Sequence, residues 1–364
     1  MDLAVVALRA KVDPDRLREW EEGVSHPTIA QLRNLATIYR RPLAVFYLPE
    51  PPRDFAPLHD LRRLPSTDRG RFSTALLFLI RHVREQEAWI MDTMQEAGAK
   101  PLGFVGSIRI SDNTIASARR ARELLRLVPG AQRSWGLRDW IDAVEDAGVF
   151  VFQSGDVPVQ EMRGLVLTNH TAPIIVLNSK DAPRARIFTL FHEFAHILLG
   201  EESISNYIPG LVRQARTSEE GIEIRCNLLA AEMLVPEDDL RRRLESPERE
   251  EDLDALIESL ARVYGVSREV VARRLAHVEF ITKRTYGQKR RQYQLEFEEA
   301  EQEEQPRQIR ILWATRVLSR NGRAFTRLVL STYGEGTITG PDVSSLLGTK
   351  LNYLPAIEAR AFAG

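Results

Sequence analysis

Two histidines four residues apart, His192 and His196, flank a glutamate, Glu193, in the apolar segment Arg186–Gly200. This segment is typical of a helix that ends at a glycine, so both imidazoles should project from one helical face. Each can then place a nitrogen about 2 Å from a shared Zn²⁺. Glu193 points to one side of the pair, where it can act as general base on a water at the metal without ligating it. The alternative is a core helix with two surface or structurally satisfied histidines.

The supply of ligands limits the kind of metal site. The chain has 7 His and 1 Cys, so it cannot by itself build a closed Cys₄ or Cys₂His₂ structural zinc site. A catalytic zinc site uses three protein ligands and leaves one position for water or substrate. With two histidines assigned, the third ligand should be an acid or another histidine on a neighbouring element.

The best candidate for the third ligand is Glu223, in the helix-like segment 217–236. A rotation of about 100° per residue places it on a small and apolar helical face, made up of Glu223, Cys226, Asn227, Ala230, Ala231 and Leu234. An acid on such a face is costly to bury unless it is paired or bound to metal. Glu232 falls on the opposite side, where we expect it to be solvated. The alternative for Glu223 is a partly exposed acid near a helix start, stabilised by the helix dipole.

Together the two segments resemble the ImmA/IrrE family of zinc metallopeptidases. Residues 188–200 read Phe-Thr-Leu-Phe-His-Glu-Phe-Ala-His-Ile-Leu-Leu-Gly and contain the H-E-x-x-H pattern. Residues 223–236 are similar to the family's downstream pattern E-x-x-A-N-x-F-A-A-x-L-L-M-P, with Cys226 in place of the usual alanine and Leu228 in place of phenylalanine. The resemblance extends over roughly residues 1–280.

This resemblance implies a zinc peptidase in which His192, His196 and Glu223 bind Zn²⁺ and Glu193 is the catalytic residue. The family includes regulators that cleave a helix-turn-helix repressor in stress response or mobile-element control, and other members are assigned to toxin–antitoxin pairs. We therefore expect a zinc-dependent endopeptidase whose substrate is a helix-turn-helix repressor. The competing expectation is an antitoxin or transcriptional regulator that binds a partner toxin or DNA, with a metal site that does not cleave proteins.

The beginning of the chain is predicted to form three short helices, at 3–10, 14–22 and 29–40. Asp13 is suited to cap the second helix, and Pro14 fits its first position. The stretch 20–49 is similar to the XRE-type helix-turn-helix domain that many members of the same family carry. The helix that normally precedes this motif is missing from the sequence, so the domain looks truncated.

DNA binding by this first domain would use helix 14–22 as the recognition helix, with Arg16 and Arg18 as the side chains that reach the DNA. Four acidic residues lie in the same helix, Asp15, Glu19, Glu21 and Glu22. Because these acids oppose contact with phosphates, a structural or protein-docking role is the alternative.

Composition indicates a cytoplasmic protein. The chain has 364 residues, a formal net charge of -1 and a pI of about 6.7, so no global basic field favours nucleic acid. The single cysteine excludes an internal disulfide. The first residues are too short and too acidic for a secretory signal, and no apolar run approaches the roughly 18 residues of a membrane span. We expect no association with membranes.

The complete pattern predicts an α+β, predominantly helical fold with a zincin-like metallopeptidase domain around a small β-sheet. Residues 165–167 and 174–177 should form a hairpin before the metal helix. His170, in the connector between them, is either an oxyanion-stabilising group or an ordinary loop histidine. Five segments are predicted: 1–52, a truncated helix-turn-helix-like domain; 53–132, a helical connector; 133–280, the zinc metallopeptidase domain; 281–308, a charged helix or linker; and 309–364, a C-terminal extension of unknown role.

Overall fold

The computed structural model describes residues 2–50, 59–60, 72–128, 135–205, 218–246, 250, 252–303 and 312–363. The chain divides into two compact units: Met1–Pro57 with Phe72–Arg84, and Leu58–Arg71 with Glu85–Gly364. Many helices and one small mixed sheet confirm the predicted α+β class. Among the described helices, none combines the length and the apolar composition that a bilayer crossing requires. The five-segment division stays a prediction.

The first unit begins with three helices, α1 (Leu3–Ala10), α2 (Pro14–Glu21) and α3 (Ile29–Ile38). Each starts at a side chain that accepts backbone N–H groups, as the sequence indicates for α2. These capping residues are Asp2, Asp13 and Thr28. The helices enclose a small core of Val6, Ala7, Leu17 and Leu35. The helical prediction is confirmed, and the XRE-type assignment stays a prediction.

Two helices follow the first domain, α4 (Thr74–Glu96) and α5 (Thr114–Leu124). The cap of α5 is Asn113, although the residue before it, Asp112, is also of a type that caps helices. The amide oxygen of Asn113 accepts the N–H of Ala116 at 2.9 Å and caps the helix. The carboxylate of Asp112 instead closes the preceding turn. Both side chains can cap, and the backbone path decides which one reaches the helix.

One sheet lies in the second unit. Its strands are β1 (His59–Asp60), β2 (Phe150–Ser154), β3 (Gly164–Leu167), β4 (Ile174–Asn178) and β5 (Ser203–Ser205), in the spatial order β1-β5-β3-β4-β2. The predicted hairpin is confirmed, since β3 and β4 pair antiparallel. β5 pairs antiparallel with the other side of β3, while β1 and β2 pair parallel with β5 and β4. The residues of β3 and β4 are buried on both faces, which explains their continuous apolar runs.

Seven further helices surround this sheet or pack beyond it. They are α6 (Leu137–Glu145), α7 (Pro183–Leu199), α8 (Ser218–Leu234), α9 (Glu237–Glu245), α10 (Leu253–Tyr264), α11 (Arg268–His277) and α12 (Lys283–Glu303). The core between them is mostly aliphatic, with an edge-to-face contact of Trp140 and Phe191, whose ring centroids are 5.2 Å apart. The charged helix α12 packs Tyr286 and Tyr293 against this core, so it is exposed only in part.

Four helices form the C-terminal segment, α13 (Trp313–Asn321), α14 (Arg323–Gly334), α15 (Gly340–Leu347) and α16 (Leu354–Ala361). The first two of them, α13 and α14, pack on β2, and α14 also contacts α6. The side-chain amide of Gln153 donates to the carbonyl oxygen of Ser319 at 2.9 Å. The carboxylate of Glu145 accepts the N–H of Arg323, at the start of α14, at 3.1 Å.

The prediction that Glu232 is solvated is wrong. Glu232 is 4% exposed and forms an ion pair with Arg274 of α11, which is 2% exposed. The guanidinium of Arg274 also donates to the carbonyl oxygen of Val235 at 2.9 Å. On another side of α8, the buried guanidinium of Arg122 donates to the carbonyl oxygen of Met233. Because neighbouring helices cover α8 on several sides, its polar side chains are buried and need hydrogen-bond or charged partners.

Candidate metal centre

The helix α7 carries both histidines through the centre of the second unit. It begins with Pro183, which suits a first helical position, and ends at Gly200, whose φ of 76° is in the left-handed region. Residues 187–198 are all buried. The N–H of Gly106 donates to the carbonyl oxygen of Ile197 at 3.0 Å and satisfies part of the last turn. The helix is therefore held at its C-terminal end by a contact at the residue that follows His196.

His192 and His196 face each other on one side of α7. Their Nε2 atoms are 3.2 Å apart, and their ring centroids are 4.9 Å apart with planes inclined by 70°. His192 is 2% exposed and His196 is fully buried. The spacing of four residues thus brings one nitrogen of each ring to the same point, as helical geometry predicts.

The helix α8 brings Glu223 to that point. One carboxylate oxygen of Glu223 lies 3.4 Å from Nε2 of His192, and the other lies 3.3 Å from Nε2 of His196. Glu223 is 5% exposed, which does not fit a partly exposed acid at a helix start. The side-chain amide of Asn227 donates to the main-chain oxygen of Glu223 at 2.6 Å, one turn along the helix. Small buried side chains, Ala230 among them, line the same helix.

The geometry of these three side chains fits a tetrahedral cation site. Among the residues that the structure describes, His192, His196 and Glu223 are the group whose metal-ligating atoms lie within 4.8 Å of one another. Four ligands at 2.0–2.1 Å from a tetrahedral metal are about 3.3 Å apart. The three separations observed are 3.2, 3.4 and 3.3 Å. Both carboxylate oxygens of Glu223 are buried without a hydrogen-bond donor in the described structure, as expected of metal ligands.

The charges at the site are strongly coupled. Burial acts to raise the pKa of Glu223, but the two imidazoles outweigh burial and hold this pKa at about 2. Burial acts to lower the pKa of His192, but the charges of Glu223 and Glu193 outweigh burial, so this pKa is raised. The carboxylate and the two imidazole rings at this site therefore stabilise a positive charge between them, either a proton or a metal ion.

Glu193 is fully buried beside the candidate metal ligands. Its carboxylate lies against the first residue of β3, Gly164, and its Oε1 accepts a hydrogen bond from the hydroxyl of Ser205, at the end of β5. Burial raises the pKa of Glu193, and the nearby imidazoles and the Ser205 hydroxyl oppose that effect. A carboxyl group with a raised pKa takes up a proton more readily than an exposed one, which suits a group that must accept and release a proton.

The other predicted site residues lie elsewhere. Arg16 and Arg18 are exposed on α2 and form ion pairs within their own helix, with Glu19 at 2.9 Å and Asp15 at 2.6 Å. His170 is exposed in the connector after β3, and its carbonyl oxygen accepts the N–H of Leu102 at 2.6 Å. It is not a member of the metal-ligating group. Roles in DNA contact and oxyanion stabilisation stay predictions.

Sequence reasoning missed the partners of Glu193. Ser205 belongs to the short strand 203–205, which has serines at alternate positions, and this alternation is a weak signal for one polar strand face. Gly164 stands at the start of an apolar strand, and a glycine there indicates a close approach by another group. Neither signal identifies the group that approaches.

Comparison with known proteins agrees with this geometry. Residues 144–276 match the family model Peptidase_M78, described as the IrrE N-terminal-like domain. The match extends from the end of α6 to α11 and contains the predicted metal ligands and Glu193. A comparison with curated proteins finds no match. Residues 144–276 are therefore similar to the IrrE N-terminal-like domain of this metallopeptidase family, and the buried His–His–Glu group within them is suited to hold a metal ion.

Proposed function

We propose that this protein is a zinc-dependent endopeptidase that acts on a regulatory protein. The observation that carries this proposal is the convergence of His192, His196 and Glu223 from two helices, with ligand atoms 3.2–3.4 Å apart, beside the buried Glu193. Two imidazoles and one carboxylate are a ligand set of catalytic zinc peptidases. Calcium and magnesium prefer oxygen ligands, so the two nitrogens favour zinc over these ions.

The proposed chemistry is hydrolysis of a peptide bond. Zinc, when bound, supplies Lewis acidity that lowers the pKa of a water molecule and polarises a peptide carbonyl. Glu193 takes up the proton of the attacking water and returns it to the leaving amine. Burial of Glu193 excludes bulk water from its carboxylate and raises its pKa, which suits a group that must both accept and donate a proton.

A helix-turn-helix repressor is the proposed substrate, in stress response or mobile-element control. The support for this choice is the resemblance of the two metal-site segments to a family that includes repressor-cleaving members. Residues 1–52 would then dock the partner protein. Arg16 and Arg18 already pair with acids of α2, which favours protein docking over contact with phosphates.

The test is incubation of the zinc-loaded protein with a purified helix-turn-helix repressor, chosen from the genes next to its own where one is encoded there, followed by mass spectrometry of the intact products. We expect one specific pair of fragments from the wild type and none from Glu193→Gln. A repressor that binds but is never cut would count against the peptidase. The same experiment with a toxin encoded next to the gene tests the second candidate, an antitoxin or regulator with a non-proteolytic metal site.

A further inference from the structure

The carboxylate of Glu193 contacts two residues that are paired with each other on neighbouring strands. Gly164 of β3 and Ser205 of β5 are direct partners in the antiparallel register. The hydroxyl of Ser205, 1% exposed, donates a hydrogen bond to Oε1 of Glu193. The carboxylate therefore contacts the strand pair at one defined position rather than turning freely beside the metal ligands.

Gly164 makes this contact possible because it has no side chain. A Cβ atom at this position would lie 2.1 Å from Oε1 of Glu193 and 2.7 Å from its carboxyl carbon. The φ angle of Gly164 is not in the left-handed region, so its backbone conformation does not require glycine. Space for the carboxylate is the physical reason for a glycine here.

The two oxygens of Glu193 have different surroundings. Oε1 accepts the Ser205 hydroxyl, whereas Oε2 is buried and has no hydrogen-bond donor in the described structure. A buried carboxylate oxygen without a donor is costly unless a ligand or a water satisfies it. One oxygen is thus anchored to the protein, and the other remains available for the water that is to be deprotonated.

We propose that Ser205 is a positioning residue for the general base: its hydroxyl, over Gly164, fixes the rotation of the Glu193 carboxylate and directs Oε2 to the attacking water. This inference rests on the proposed peptidase function, and it explains how the carboxylate of the general base, Glu193, is oriented. A general base must hold its acceptor atom within hydrogen-bond reach of the proton that it removes. Outer partners of catalytic groups typically contribute about 10- to 100-fold in activity or metal affinity.

The matched control is Ser203, two residues earlier on the same strand. Ser203 is fully buried like Ser205, but its hydroxyl has no hydrogen-bond partner in the described structure. Ser203→Ala and Ser205→Ala therefore remove the same atom from the same strand, and only the second removes a contact with Glu193. Ser205→Thr keeps the hydroxyl and serves as the conservative variant.

The deciding measurement uses cobalt(II) in place of zinc. The visible absorption of cobalt(II) responds to ionisation of its coordinated water, and this ionisation depends on the hydrogen bond to Glu193. With one cobalt per chain in every variant, we expect Ser205→Ala to shift the midpoint of the pH titration. Ser203→Ala should keep the wild-type midpoint, and Ser205→Thr should return towards it. A titration of Ser205→Ala that coincides with the wild-type curve would overturn the proposal.

A second measurement follows cleavage of fluorescein-labelled casein and of the neighbouring repressor. We expect Ser205→Ala to lower kcat about 10- to 100-fold with little change in KM. Equal losses in Ser203→Ala and Ser205→Ala would indicate a general effect on the strand and would contradict the positioning role. If the wild type cleaves neither protein, the proposed peptidase function fails, while the cobalt titration still decides the role of Ser205.

Discussion

The carboxylate of Glu223, on α8, lies 3.3 Å from Nε2 of His196, on α7. At this distance a deprotonated carboxylate and the lone pair of an imidazole nitrogen repel each other. A proton or a cation between the two buried groups removes this repulsion. His192 completes the same arrangement at 3.4 Å. This relationship between two separate helices extends the histidine pair to a group of three buried side chains that is suited to hold a metal ion.

Removal of the third ligand should abolish stable metal binding. Glu223→Ala leaves only two imidazoles, so we expect the purified protein to lose its zinc, as His196→Ala should also do. Glu219 lies exposed in the first turn of the same helix and provides the matched control. Elemental analysis should find about one zinc per chain in Glu219→Ala. Full zinc content in Glu223→Ala would exclude Glu223 as a ligand.

Replacement of the proposed general base should separate metal binding from catalysis. Glu193→Gln keeps the shape of the side chain and removes its ability to accept a proton. We expect normal zinc content and a loss of cleavage of about 100-fold or more. The measurement is elemental analysis together with mass spectrometry of the repressor fragments. An active Glu193→Gln enzyme would contradict the role assigned to Glu193.

Metal affinity should depend on pH through His192. Glu223 raises the pKa of His192 above its ordinary value of 6.5, although burial opposes the shift. Protonated histidine cannot bind metal, so affinity should begin to fall as pH drops through this raised value. A competition titration with a fluorescent chelator, from about pH 8 to about pH 5, measures the onset. The variant Glu223→Gln should bind the metal more weakly at every pH. The pH at which its affinity begins to fall should be lower than in the wild type.

Removal of one partner of the buried ion pair between Glu232 and Arg274 should strongly destabilise the fold. Glu232→Ala leaves the guanidinium of Arg274 buried with only Glu237, at 3.9 Å, as its acid, and we expect a loss of about 3 kcal/mol in the free energy of unfolding. Glu258, whose side chain is 42% exposed beside Arg262 and Arg268, is the control. Its alanine variant should lose no more than about 1 kcal/mol. Urea denaturation followed by circular dichroism compares the two.

Stability should fall with rising pH because of Glu145. Burial raises the pKa of Glu145 from 4.5 to about 8, although backbone N–H groups at the start of α14 oppose the shift. The folded protein therefore binds one more proton than the unfolded chain between these values. Its stability should decrease by about 1.4 kcal/mol per pH unit across that window. Glu145→Gln should remove this slope, which denaturation curves at several pH values would show.

The sequence by itself determined the local geometry of the metal helix. The spacing of His192 and His196 places two rings on one face wherever such a helix forms, because helical rotation depends only on the backbone. The apolar face of α8 identified Glu223 for the same reason. The strands of the β3–β4 hairpin were also predictable, since continuous apolar runs and a turn between them are local signals.

Only the tertiary structure decided the contacts that depend on several elements at once. Glu232 is buried because it pairs with Arg274 of α11, and the periodicity of α8 alone cannot reveal that neighbour. Ser205 reaches Glu193 because β5 pairs with β3 in one register, and a shift by one residue would turn that hydroxyl to the other face. Register and helix packing arise from the whole core, so no single segment encodes them.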